Sequence, residues 1–259
     1  MATAAATTTE PARSRAASPP AAVLAGVLGI AAAAWLLVWA QTRGATGRFA
    51  HLHGPGASPS PWLLAAGWLT MVAAMMLPLA LSFLATIARL VQARPRPWLL
   101  VTASAFGFFI PWVVTGQLFE IFDAGIHFVV DRTPWLSAHD ALLVAGALVL
   151  AGVYQFTPIK TRSLMVCRSP FGLVARRWRG AAPMSESMLL GTAYGTSCVG
   201  CCWTLMLVMF AVGAANLALM VGMALAMAAE RVPGIRRTAA PVLGVALLCG
   251  GAAIAIGAL

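Results

Sequence analysis

The chain has 259 residues, of which 61% are hydrophobic and only 9% charged, and its mean hydropathy is +0.87. Soluble domains carry about 25% charged residues, so the composition excludes an ordinary soluble enzyme and points to an integral membrane protein. The net charge of +10 does not imply a nucleic-acid partner, because the basic residues fall in short clusters between apolar runs, as the positive-inside rule describes.

Taken in order, residues 1–20 are Ala, Thr, Ser and Pro with Arg13 and Arg15, the composition of a disordered basic tail. Residues 21–259 are expected to form one transmembrane helical domain. Its first span, 21–40, has about the 20 residues needed to cross a bilayer and ends near Trp35 and Trp39, as a retained anchor does rather than a cleaved signal. A Gly/Pro/Ser loop with His51 and His53 leads to a second span over 62–87, which carries Met71, Met75, Met76 and Pro78. A third span over 98–118 should kink near Pro111. The acidic stretch after it contains Glu120, Asp123, His127, Asp131, His139 and Asp140, with 121–130 expected as a separate interfacial helix.

A fourth span, 141–157, is expected to stop at Pro158 and Lys160, followed by a basic loop over 162–185. The apolar stretch 187–229 is too long for one helix at about 1.5 Å per residue. It is therefore split near residues 213–216 into a fifth and a sixth span, with Asn216 capping the sixth. Glu230, Arg231, Arg236 and Arg237 then read as a polar loop before a seventh span at 240–259. The fold expected is an all-α bundle of about seven spans with a cytoplasmic N-terminus. That orientation leaves only Arg43, Arg48 and Arg132 of the 17 Lys and Arg residues outside, together with all four histidines.

The chemistry concentrates at Cys198, Cys201 and Cys202, three of the five cysteines. Spaced i, i+3, i+4, they share one helix face, and the same face continues through Met206 and Met209. Lone cysteines are common in apolar helices as small packing residues; three within five residues are not so easily explained. Thiolates with thioethers suit Cu(I). Zinc fits worse, because it wants four ligands, often including histidine, and no predicted span contains one. Met71 and Met75, together with Met206 and Met209, are candidate auxiliary ligands, although any single methionine also serves as a core filler. The vicinal pair Cys201–Cys202 is expected to be the centre of the site.

Gly191, Gly195 and Gly200 would let neighbouring helices approach the cysteine face. Tyr194 either orients a ligand or bonds a neighbouring helix. No phosphate loop, dinucleotide fingerprint or nucleophile–base constellation accompanies these residues, so a hydrolase or nucleotide-driven pump lacks its machinery. A binding role fits better than an enzymatic one. The competing reading is a membrane thiol–disulfide oxidoreductase using the Cys198/Cys201 pair, for which Cys249 alone makes a poor relay. A structural subunit of a membrane complex is a third.

Several segments resemble a bacterial family of predicted metal-binding integral membrane proteins. They are Trp68-Leu69-Thr70-Met71-Val72-Ala73-Ala74-Met75-Met76-Leu77-Pro78, Tyr154-Gln155-Phe156-Thr157-Pro158-Ile159-Lys160, Cys167-Arg168-Ser169-Pro170 and Cys198-Val199-Gly200-Cys201-Cys202-Trp203. Members often carry a second cysteine four residues before the Cys-Arg-Ser-Pro cysteine, where this chain has Ser163, and often a Met where it has Ala215. The resemblance implies a multi-pass protein of the bacterial inner membrane. Read together with the cysteines, it gives a protein that binds copper as Cu(I) and passes it on, or delivers it to a soluble or membrane partner protein. The bilayer is the other partner.

Overall fold

The computed structural model describes residues 21–43, 61–139, 141–212, 216–232 and 234–258. The expected tail, the His51/His53 loop and the turn at residues 213–215 fall outside them. Among the described residues the fold is all-α: α1 (Ala21–Arg43), α2 (Pro61–Met76), α3 (Leu81–Val91), α4 (Pro97–Val130), α5 (Pro134–Ala138), α6 (Ala141–Tyr154), α7 (Pro158–Arg168), α8 (Phe171–Arg177), α9 (Pro183–Val212), α10 (Leu217–Ala229) and α11 (Arg236–Ala258). α1, α4, α9 and α11 are each long and apolar enough to cross a membrane, and counting the bent pairs α2/α3 and α6/α7 raises the number to six. The expected sixth span is the exception. α10 has 13 residues, about 20 Å of helix against a hydrocarbon core of about 30 Å.

The spine is the pair α4 and α9, which cross at a line of small residues. A Cβ on Gly191 would land on the Ser104 carbonyl, one on Gly195 on the Phe108 carbonyl, and one on Gly107 on the Met188 carbonyl. These glycines let backbone meet backbone, the close approach expected of small residues in membrane helices. Because 104 meets 191, 108 meets 195 and Phe119 meets Phe210, the two helices run parallel.

Prolines set the breaks. Pro78 has no N–H to donate, so α2 ends at Met76, a 3-10 turn covers Pro78–Ala80, and α3 restarts at a bend of 48°. At the second break the chain was expected to leave the bundle, because Pro158 reads as a stop. Proline is equally suited to the first turn of a helix. Here Thr157 caps α7 by accepting from the Lys160 amide at 3.3 Å, and α7 turns 70° from α6 and lies against α9. The supposed basic loop over 162–185 therefore contains α7 and α8. The separate interfacial helix expected at 121–130 is simply the end of α4, which runs on through Pro111. Asn216 caps α10 as expected, its Oδ1 accepting from the Leu219 amide at 3.0 Å.

These breaks fall at one level of the bundle. Cys198 lies about 22 Å along α9 from Pro183, near the middle of that helix. The last residue of α2, Met76, touches Cys202; the last residue of α6, Tyr154, bonds Gly200 through its hydroxyl; and Arg231, just beyond α10, touches Cys198. Three helix C-termini thus converge on the cysteine turn of α9.

Candidate metal centre

Adjacent residues on an α-helix are about 100° apart, so Cys201 and Cys202 fall on opposite sides of Cys198 and face different neighbours. Cys201 points to α7, where Cys167 stands with its Sγ 3.6 Å away. The sulfurs of Cys167, Cys198 and Cys201 lie within 4.8 Å of one another, all buried. Cys202 falls outside this group and turns to α2, its Sγ 3.8 Å from Met76 Sδ. The expected vicinal pair is therefore divided between two environments. All five cysteines are free thiols. Cys249, on α11, is exposed and apart.

The Cys201 and Cys202 thiols also donate back to the Cys198 carbonyl at 3.1 and 2.8 Å, as hydrogen-bonding side chains inside a helix commonly do. Around them the packing is apolar and close. Met71, Met75, Met206 and Met209 are all buried in the same core, and Met76 brings its sulfur to 3.8 Å from that of Cys202. Met206 and Met209 continue the cysteine face of α9 by one and two turns, and Met71 and Met75 sit before Met76 on α2. Met220, Met223 and Met227 are the buried residues of α10. Among the described histidines, His127 is at the end of α4 and His139 just beyond α5, both remote in sequence and level from the sulfurs.

Polar groups make a second ring. Tyr194 stacks on Phe83 with centroids 4.4 Å apart and planes 6° from parallel, and its hydroxyl donates to the Cys167 carbonyl at 3.3 Å. Of its two expected roles it fills the second, and through that carbonyl it ties α7 to α9. Gly200 leaves room for Ser163, whose Oγ would be 2.7 Å from a Cβ placed there. The position at which the family resemblance leads one to expect a second cysteine therefore faces α9, one turn from Cys167. Lys160 Nζ donates to both carboxylate oxygens of Glu230 at 2.8 and 2.9 Å, with both side chains almost wholly buried. Arg168 Nε caps the end of α10 by donating to the Glu230 carbonyl at 2.8 Å. Arg231 reaches the Leu79 carbonyl, the Tyr194 hydroxyl and the sulfurs of Cys198 and Cys201.

Glu230 and Arg231 are thus not a solvated loop, and Lys160 does not mark a water boundary. Burying charges in an apolar bundle is tolerated only when they are paired and hydrogen-bonded; Lys160 and Glu230 are paired with each other, and the part-buried Arg231 is hydrogen-bonded. Sequence reasoning missed Cys167, Lys160, Glu230 and Arg231 as parts of one site, and set Met76 beside Met71 and Met75 without making it a ligand. The available signal was that Met76, Lys160 and Cys167 stand inside the very segments that carry the family resemblance.

Three buried sulfurs from two helices, with the Cys202–Met76 sulfur pair beside them, form a donor set suited to a soft metal and poor for hard cations, which require oxygen. No curated protein and no solved structure matches the chain. A protein family does match, over residues 65–254, a range that contains every cysteine, methionine and charged residue of the site. The chain belongs to that family, PpoB2, the copper chaperones.

Proposed function

We propose that the protein is an integral membrane carrier that holds Cu(I) on Cys167, Cys198 and Cys201 and hands it to a partner protein. The observation that carries this reading is the convergence of three thiols within 4.8 Å at the level where α2, α6 and α10 end. Broken helices that leave irregular backbone at membrane depth recur at ion sites, where the breaks line the site and helix ends face the ion. C-terminal helix ends carry partial negative charge and favour a cation.

Cu(I) is the cargo, not a resident cofactor. Each thiol that binds it gives up its proton, so loading releases protons. Anionic sulfur holds a cation more strongly than neutral thioether sulfur does, by simple Coulomb attraction. Cys202 with Met76, and beyond them Met71, Met75, Met206 and Met209, are then the weaker stations through which the ion reaches or leaves the trio. A site this rich in thiolate releases its ion slowly on its own, which favours exchange with a thiol or imidazole of a docked partner over free flow. The positive-inside rule supports a cytoplasmic N-terminus: Arg89, Arg94, Arg96, Arg176, Arg177 and Arg179 all lie at the end of the bundle where α4 and α9 begin, and Arg132 at the other. About seven spans, with α10 as a half-depth helix, and a disordered tail over 1–20 complete the topology, in a bacterial inner membrane.

The test is metal analysis of detergent-purified protein loaded with Cu(I) under reducing conditions. Wild type should retain about one equivalent of copper, and the Cys198→Ser/Cys201→Ser variant less than about a tenth of it, since the remaining thiol has lost its chelating partners. A wild-type protein that binds no copper, and whose Cys198 and Cys201 instead cycle through a disulfide with quinone, would contradict the proposal and favour the oxidoreductase reading.

A further inference from the structure

Beside the sulfurs stands one part-buried cation, Arg231, whose hydrogen-bond partners among the described residues include no carboxylate. Arg231 Nη1 donates to the Leu79 carbonyl at 2.7 Å and to the Tyr194 hydroxyl at 3.4 Å. Its Nη2 faces Cys198 Sγ at 3.4 Å and Cys201 Sγ at 3.8 Å. Both oxygen partners are neutral. The adjacent carboxylate, Glu230, has both oxygens taken by Lys160. A guanidinium stays charged in proteins, and a charge partly withdrawn from water is stabilised by an opposite one nearby. Two of the partners of Arg231 are the Cys198 and Cys201 sulfurs, so its guanidinium stands directly against ligands of the loaded ion.

We infer that Arg231 is the counter-charge of the loaded site and sets its preference for a monovalent ion. The argument rests on the copper-carrier reading above. For any given number of thiolates, a Cu(I) load is one charge more negative than a Zn(II) load. A fixed positive charge within 4 Å of the sulfurs therefore favours the Cu(I) load over the Zn(II) load, and in a site with little water that difference is weakly screened. The Lys160–Glu230 pair and the Tyr194 hydroxyl hold Arg231 in place: the first occupies the carboxylate that would otherwise draw the guanidinium away, and the second fixes one of its two amino groups. Arg231 binds no metal. It acts through the sulfurs.

The experiment measures Cu(I) and Zn(II) affinity in the purified full-length protein, each by competition with a chromophoric chelator, for wild type, Arg231→Gln and Arg231→Lys. Loss of the charge in Arg231→Gln should weaken Cu(I) binding by about tenfold or more, with Zn(II) binding reduced much less or improved. Arg231→Lys, which keeps the charge, should restore the Cu(I) preference to within a few-fold of wild type. Equal loss of both metals in Arg231→Gln, or an unchanged ratio, overturns the inference. Should Arg231→Gln fail to fold, Arg231→Met decides beside Arg231→Lys: a Cu(I) preference lost in the first and kept in the second supports the inference, and one kept in both overturns it. A wild-type protein that binds no Cu(I) would reject the carrier reading and this inference together, whereas Cu(I) binding with a ratio that ignores residue 231 rejects the inference alone.

Discussion

Cys201 and Cys202 are neighbours in sequence, yet they face different partners, and the difference is measurable. Cys201 Sγ is 3.6 Å from Cys167 Sγ, while Cys202 Sγ is 3.8 Å from the Met76 thioether. Cys201→Ser should lower Cu(I) affinity by about a hundredfold or more in a chelator competition, and Cys202→Ser by about tenfold or less. Equal losses would mean that the vicinal pair acts as one unit. The i, i+3, i+4 spacing on α9 made the cysteine face legible in the sequence, because helical periodicity is local. Cys167 was not legible as part of it. It is 34 residues away from Cys201, in a segment whose arginines read as solvated, and only the fold of α7 against α9 brings the two together. The same holds for Arg231, whose role depends on where α10 ends.

At the scale of helices, the ion pair between α7 and α10 is the least expected feature. Lys160 and Glu230 are almost fully buried and hold one another at 2.8 Å. Removing one partner leaves an uncompensated charge, so Glu230→Ala should cost about 3–5 kcal/mol of stability, whereas the Lys160→Met/Glu230→Leu double substitution should recover most of it. Thermal unfolding in detergent reads both, and a Glu230→Ala protein as stable as wild type would show the pair to be hydrated. The long apolar elements were plain in the sequence: α1, α4, α9 and α11 fall where hydropathy placed spans, and Asn216 starts α10 as its side chain predicts. The errors came at prolines and charges. Pro158 was read as a terminator, but proline ends a helix or begins one with equal ease, and local sequence does not say which. Lys160, Glu230 and Arg231 read as water-facing because charge usually is; Lys160 and Glu230 are buried because they pair across 70 residues, and Arg231 is part-buried against the sulfurs.

For the molecule as a whole, the bundle has a basic end and an acidic end. Arg89 lies in the last turn of α3 and Arg94 and Arg96 in the link to α4, whereas Glu120 and Asp123 toward the far end of α4 and Asp131 just after it, with Arg132, mark the opposite end. With the N-terminus cytoplasmic, a cysteine placed at Asp131 in a protein lacking Cys249 should react with a membrane-impermeant maleimide in intact spheroplasts. One placed at Arg96 should react only after the membrane is opened. The reverse pattern would invert the topology and with it the direction from which the metal arrives. The helices long and apolar enough to cross a membrane were legible from composition and hydropathy. The number of crossings was less so, because counting apolar runs does not reveal that α10 is too short to span, or that α2 and α6 stop at the level of the cysteines.

The central claim is that copper is held by sulfur from both α7 and α9. X-ray absorption at the copper edge of the Cu(I)-loaded protein, wild type beside Cys167→Ser, tests it most directly. A first shell of sulfur alone is expected in wild type, with fewer sulfurs per copper in Cys167→Ser. A shell containing nitrogen or oxygen in wild type, or a sulfur shell that Cys167→Ser leaves unchanged, would contradict it.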